Sequence, residues 1–238
     1  MRGAAPRAAP FVRPPSGGPS RRTRAGGGAS PVPRAAVVLP SFGRMTDLFN
    51  SPVLRIDQPR GAPAARSRYK VSDGRGRLLA AAEERDVSLL RQAVRTALGG
   101  SDGRRIVHVE DARGVPLLIV DKENKRRTRV NTAEGVHIGS VQNRERYDYA
   151  LLDAAERPIG HLDGSRFGRK FPVLDVHGNH VAQLDKKWKG AATEALTTAD
   201  RYSLEIFRPL ADPLRVLVVA APLAIDLMLY ESKDWPIE

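Results

Sequence analysis

Cysteine is absent from this sequence of 238 residues. The chain therefore forms no disulfide, has no thiolate nucleophile and holds no cysteine-ligated metal. A chain without cysteine fits a cytoplasmic protein. Catalytic motifs are missing as well: no glycine loop leads into Lys-Ser or Lys-Thr, and no serine has the glycine neighbours of a nucleophile elbow. The sequence thus predicts a protein that is not an enzyme.

Acidic residues are absent from residues 1–44, which contain eight arginines and so supply +8 of the net charge of +12. This segment is rich in Pro, Gly and Ala and has no hydrophobic periodicity, which predicts a disordered basic tail. Its one apolar run, residues 35–39, is too short for a signal peptide. We expect the working protein to begin at Met45 and residues 45–238 to form one domain.

Long apolar runs are also scarce. The longest covers residues 214–230, and its 17 residues are marginal for a bilayer span of roughly 20. Arg215 and Asp226 lie within it, and Pro222 would kink a helix there. A membrane span and a core helix are both open, and we favour a core helix because burying Asp226 in lipid costs roughly 2.5–3.5 kcal/mol.

A short turn phrase, by contrast, occurs five times. In it an acid is followed three residues later by glycine and three residues after that by an aliphatic residue. The copies begin at Asp73, Asp111, Thr132, Asp153 and Asp175. The third has Thr132 in place of the acid, and the fourth has Glu156 in place of glycine. Asp opens a turn by bonding its own backbone, and Gly adopts positive φ, so each copy predicts a β-hairpin tip. Five hairpins in series can form an open sheet or close into a barrel.

The remaining segments predict a first strand at residues 53–56 and a helix starting at Asp86 and ending before Gly99. A second, short helix is predicted at residues 188–199, followed by a strand at residues 202–206.

Several of these segments resemble the phospholipid scramblase and LURP-one-related superfamily. Residues 181–190 resemble its strand-to-helix junction with a Lys-x-Trp-x-Gly turn, and residues 194–202 resemble its Ala-Phe-Thr and Ala-Asp-Asn-Tyr stretch. Asp226 matches the acid within its terminal hydrophobic helix, and residues 48–54 resemble the opening strand of its bacterial branch. The resemblance implies a mainly β, tubby-like fold, in which about twelve antiparallel strands close into a barrel around a buried C-terminal helix.

Animal scramblases place a calcium-binding segment between the short helix and the hydrophobic one. Here Asp200, Glu205 and Asp212 could supply oxygen ligands, but calcium needs six to eight. Arg201 and Arg208 place cations in the same segment. The alternation of residues 202–206 indicates instead an ordinary strand. Calcium is the one cofactor that the resemblance suggests.

Two basic runs are candidates for contact with anionic lipid, where each basic residue contributes roughly 1 kcal/mol. They comprise Lys122, Lys125, Arg126 and Arg127, and Lys186, Lys187 and Lys189. The alternative is an ordinary solvated face, since Asp121 and Glu123 are interleaved. Trp188 is the one aromatic residue interleaved with these bases, and so few stacking residues disfavour nucleic acid.

The resemblance therefore implies a non-catalytic barrel that acts at a membrane, with phospholipid scrambling as a candidate activity, from the cytoplasm at the inner face of the plasma membrane. The alternative is a soluble binding module for a phosphoinositide-like headgroup, a protein or a nucleic acid. Membrane insertion of the terminal helix would favour the first function, and complete burial of that helix would favour the second.

Overall fold

The computed structural model describes residues 47–58, 68–85, 104–164, 168–187 and 201–229. The helices predicted from Asp86 and at residues 188–199, and the tail of residues 1–44 with Met45, lie outside these ranges. In chain order the elements are α1 (Asp47–Asn50), β1 (Val53–Asp57), β2 (Arg68–Asp73), β3 (Leu78–Glu84), β4 (Arg105–Asp111), β5 (Pro116–Asn124), β6 (Arg127–Thr132), β7 (His137–Glu145), β8 (Asp148–Asp153), β9 (Pro158–Asp163), β10 (Lys170–Asp175), β11 (His180–Lys187), β12 (Arg201–Ile206) and α2 (Leu214–Leu229).

The twelve strands form one closed antiparallel barrel in which each strand pairs with its neighbours in sequence. The barrel closes where β1 pairs with β12, from Val53 opposite Glu205 to Asp57 opposite Arg201. Closure satisfies the backbone groups that an edge strand would leave unpaired. The predicted fold class, a closed barrel of about twelve strands, is confirmed.

The five predicted hairpin tips are confirmed in detail. Each has a backbone hydrogen bond of 3.0 Å from the N–H of the fourth residue to the carbonyl oxygen of the first. Gly76, Gly114, Gly135 and Gly178 have φ between 77° and 87°, and Glu156 has φ of 62°. Where the first residue is Asp, its carboxylate also accepts hydrogen bonds from the backbone N–H groups of the residues two and four positions later in the chain. The turn chemistry written in the sequence therefore determines these tips locally.

Helix α2 is buried on every side. All thirteen residues from Val216 to Met228 are buried. All of them except Pro222 and Asp226 belong to the hydrophobic core that the strands enclose. A helix that is apolar all round needs such an environment, which confirms the predicted buried C-terminal helix. Among the residues described, no helix is long and apolar enough to cross a bilayer.

Hairpin connections alternate between the two ends of the barrel. The five tips, residues 73–77, 111–115, 132–136, 153–157 and 175–179, lie at one end, which we call the tip face. The turns at residues 124–127, 144–148 and 163–170 lie at the other end, which we call the basic face. Helix α2 follows β12 from the tip face and runs through the barrel towards the basic face.

Candidate lipid-contact surface

The basic face collects cations from three neighbouring turns. Its described residues comprise seven basic and three acidic ones, the basic ones being Lys125, Arg126, Arg127, Arg144, Arg146, Arg169 and Lys170. All of these except Arg127 are exposed. The five tips carry the opposite balance, with six acidic and four basic residues. The barrel therefore has one cationic end and one slightly anionic end.

Four of the residues predicted for lipid contact lie on or beside this face. Lys125 and Arg126 are exposed at the tip of the β5–β6 turn. Arg127 is half-buried and pairs with Glu123 at 3.4 Å and with Glu156. Lys186 is half-buried, and its Nζ lies 5.3 Å from the centre of the Tyr202 ring.

The remaining three are placed differently. Lys122 is fully buried, with 0% of its surface exposed, and so lies away from any surface that lipid could reach. Of Lys187 only the backbone is described, in β11, and Lys189 lies outside the described residues. The two exposed cations at residues 125 and 126 are therefore the part of the predicted set that faces solvent most openly.

Lys122 belongs to a row of polar residues on the inner wall of the barrel. Arg105 is paired with Lys122 across β4 and β5, and Lys122 with Thr128 across β5 and β6. Glu84 on β3 is opposite Val107, two residues from Arg105. All four residues are at most 8% exposed. Each lies two positions along its strand from a core residue, Val107, Val120, Val130 or Ala82. Residues two apart on a strand face the same side, so these side chains point inwards at the end of the barrel that carries the basic face.

A second polar group lies inside the barrel on α2. Asp226 is 2% exposed, and its two carboxylate oxygens each accept a hydrogen bond. The hydroxyl of Tyr69 donates to Oδ2 at 2.8 Å, and the hydroxyl of Tyr202 donates to Oδ1 at 2.7 Å. Because a buried carboxyl is costly without partners, these two bonds allow Asp226 to remain in the core and hold α2 against β2 and β12.

The three calcium candidates do not form a cluster in the described part of the chain. Glu205 is exposed on β12, and Asp212 accepts hydrogen bonds of 3.0 and 3.1 Å from Arg215. Asp200 lies outside the described residues. Within those residues no three His, Asp or Glu side chains are close enough to hold a metal ion. Calcium binding therefore stays a prediction.

Sequence reasoning missed four cations of the basic face. Arg144, Arg146, Arg169 and Lys170 are distant from the two basic runs in sequence, and they join Lys125 and Arg126 because alternate hairpin turns meet at one end. The spacing of the five predicted tips contained the information needed to group these cations. Once the tips are assigned to one end, the turns between them must lie at the other.

The chain is similar to a solved structure and to a protein family. The X-ray structure of a protein from Arabidopsis thaliana is similar at 15% sequence identity, with a TM-score of 0.47, covering 78% of this chain and 94% of that one. No curated protein matches the sequence. A family model described as Scramblase matches residues 64–232, which is most of the chain. The chain therefore belongs to the Scramblase family.

Proposed function

We propose that this domain binds anionic phospholipid surfaces as a peripheral protein, at the inner face of the plasma membrane, and does so through its basic face without catalysing covalent chemistry. The observation that carries the proposal is the collection of exposed cations from three separate turns at one end of the barrel. At roughly 1 kcal/mol for each basic residue near an anionic surface, six exposed cations are enough for reversible docking.

The burial of α2 supports docking without insertion. Moving this helix into lipid would break the hydrogen bonds from Tyr69 and Tyr202 to Asp226. It would also expose the apolar inner wall of the barrel to water, and no gain from lipid contact compensates because the helix is already in an apolar environment. The arrangement therefore favours a domain that lies on the membrane with its helix still inside the barrel.

The test is flotation of the full chain with liposomes of neutral lipid or of neutral and anionic lipid mixed. The informative variant is Lys125→Glu with Arg126→Glu, and its matched control is Arg75→Glu with Arg113→Glu, two exposed arginines on the tip face. The basic tail is identical in both, so the comparison isolates the barrel. Each flotation is repeated with calcium, because Glu205 and Asp212 remain candidate ligands.

We expect the wild-type chain to float with anionic liposomes alone. The basic-face variant should lose at least tenfold in partitioning, because two favourable charges of roughly 1 kcal/mol each are reversed. The tip-face variant should lose less than threefold. Equal losses in the two variants would show that the barrel does not orient its basic face towards lipid and would refute the proposal.

Phospholipid scrambling is a second candidate function. It needs a polar path for headgroups, and the inward row of Glu84, Arg105, Lys122 and Thr128 would supply polar groups to such a path if the barrel opened. A dithionite assay on vesicles with fluorescent lipid tests it. Wild-type protein should expose inner-leaflet lipid to dithionite, and Lys122→Met should abolish that exposure while leaving flotation unchanged. Vesicles that keep half their fluorescence with wild-type protein would rule this function out.

A further inference from the structure

A second possible binding site lies at the tip face, on the opposite end of the barrel from the basic face. A groove of about 350 Å³ opens between α1 and the segment that follows β12. Six of its ten lining residues are apolar, namely Phe49, Pro52, Ile206, Phe207, Pro209 and Leu210, and Asn50 and Ser51 are its neutral polar residues. Sites for small ligands are mostly apolar concavities of roughly 300–1,000 Å³ with a few polar groups, and this groove is within that range.

The charge of the groove is of one sign. Arg208 and Arg215 line it, and no acidic residue does so in the part of the chain that the structure describes. Arg215 is held at its position by Asp212 through hydrogen bonds of 3.1 and 3.0 Å. Arg208 is exposed and has no ion-pair partner among the described residues. An anionic group at the mouth of the groove would therefore meet a cation that is available for pairing.

The walls are held in place by the barrel. The N–H of Ile206 donates to the Pro52 carbonyl at 2.8 Å, and the N–H of Phe207 donates to the Val181 carbonyl at 3.0 Å. The Phe207 ring meets the His180 ring edge to face, with 5.0 Å between their centres. Phe207 is nevertheless 49% exposed. A large apolar ring fixed at half exposure beside a concave apolar wall favours an apolar ligand.

We propose that this groove binds the acyl chain of a single-chain lipid carboxylate. The chain lies against Phe49, Phe207 and Leu210, and the carboxylate pairs with Arg208. This inference does not depend on the proposed membrane function, because the groove lies at the other end of the barrel and takes a soluble monomeric lipid.

Two other concavities are poorer candidates. A larger groove of about 740 Å³ lies beside it, but three of its four charged residues pair with one another, Arg77 with Asp47 at 2.8 Å and with Asp73 at 3.2 Å. A small space of about 10 Å³ between α2 and the strands is too small for any lipid.

The experiment is isothermal titration calorimetry of the full chain with decanoate below its micelle concentration. Decanol provides the same chain without the charge, and hexanoate provides the charge on a shorter chain. The site variants are Arg208→Glu and Phe207→Ser. Their matched controls are Arg113→Glu and Val176→Ser, which change the same residue classes at exposed positions elsewhere on the tip face. Circular dichroism confirms that each variant is folded.

We expect one saturable site for decanoate. Arg208→Glu should weaken decanoate at least tenfold and decanol less than threefold, and Phe207→Ser should weaken both about fivefold. Hexanoate should bind at least tenfold more weakly than decanoate, because its chain has four fewer methylene groups to bury against the apolar wall. Absence of saturable binding would overturn the inference, and so would equal affinity in the site and control variants. Flotation with liposomes should be unchanged in Phe207→Ser, so failure of one proposal is separable from failure of the other.

Discussion

At the scale of single residues, Asp226 is the clearest case of a polar group that the fold had to accommodate. A carboxyl inside a hydrophobic core is expensive unless both oxygens are bonded, and here Tyr69 and Tyr202 bond one oxygen each. Such a group adds little net stability compared with an apolar residue of similar size. It does define the position of α2, because only one placement of the helix brings Asp226 to both hydroxyl groups.

Substitution of Tyr202 by Phe should therefore destabilise the domain. The change removes the hydroxyl that donates a hydrogen bond to Asp226 Oδ1. The loss of this bond to a buried carboxylate oxygen should lower the free energy of unfolding by about 1–3 kcal/mol. Urea denaturation measures the loss. The control is Tyr147→Phe. Tyr147 is half-buried and its hydroxyl makes no hydrogen bond within the described residues, so we expect the change to alter stability by less than about 0.5 kcal/mol. Equal effects of the two substitutions would argue against the hydrogen bond as the cause.

The turn glycines allow a prediction that depends on backbone conformation alone. A Cβ added at Gly135 would meet no atom within 4 Å, yet the φ of this residue is 87°. Gly135→Ala should therefore cost roughly 1–2 kcal/mol in the free energy of unfolding, because left-handed backbone is unfavourable for residues with a Cβ.

Glu156 occupies the equivalent turn position at φ of 62° and is the matched control. Glu156→Ala introduces no new strain and loses only the ion pair with Arg127, which contributes at most about 1 kcal/mol. Thermal unfolding of both variants compares them. A larger loss for Glu156→Ala than for Gly135→Ala would contradict the prediction.

At the scale of elements, close packing of α2 against the strands depends on small residues in the wall. Gly139 in β7 and Gly160 in β9 lie where the helix approaches, opposite Leu217 and Leu214 respectively. A Cβ at Gly160 would lie 3.1 Å from Leu214 Cδ1 and 2.7 Å from the Leu174 carbonyl oxygen. Neither glycine has positive φ, so their role is space for the helix and the neighbouring strand and not backbone freedom.

Gly139→Ala should consequently be among the most damaging single-methyl additions in the barrel. Its Cβ would overlap the Leu152 carbonyl oxygen, which is backbone and cannot move aside, and would lie 3.0 Å from Leu217 Cδ1. We expect a loss of about 3 kcal/mol in urea denaturation, or failure to fold. Gly74→Ala is the control, because its Cβ would make an ordinary contact of 3.4 Å with Val53 Cβ. If the two variants are equally stable, the helix does not pack as closely as described.

At the scale of the whole molecule, the two faces of the barrel differ in chemistry. Cations predominate at the basic face, whereas every exposed large apolar residue among those described lies on or beside the tip face: Leu78, Val115, Val136, Val176 and Phe207. The molecule therefore has an electrostatic axis parallel to α2. A domain with such an axis can meet an anionic surface in one preferred orientation.

If α2 stays inside the barrel on the membrane, its residues should remain inaccessible there. The natural chain has no cysteine, so single-cysteine variants report on one position each. Ala221→Cys, at a position 1% exposed, should react with a maleimide at least 100-fold more slowly than Val176→Cys, at a position 59% exposed, both in solution and on anionic liposomes. The rates are measured by mass spectrometry. Rapid labelling of residue 221 on liposomes would show that the barrel opens.

Much of this architecture depends on interactions between residues close in sequence and could therefore be predicted from the sequence. The five tips follow from Asp and Gly at fixed spacing, because turn conformation depends on the residues within the turn. The burial of α2 follows from its uniform apolar character, and family membership from motifs near both ends of the chain. Closure of the barrel pairs β1 with β12, which are far apart in sequence. It was expected from the family resemblance alone.

Other features depended on the tertiary structure. The sequence grouped Lys122 with Lys125 and Arg126, but strand register directs Lys122 into the core, since neighbouring residues on a strand face opposite sides and a shift of one residue exchanges them. Tyr69 and Asp226, 157 residues apart, meet because the barrel closes around the helix. The cations of three turns likewise share one face because antiparallel strands return each alternate connection to the same end. Local chemistry thus determined which elements form, and register and closure decided which side chains meet.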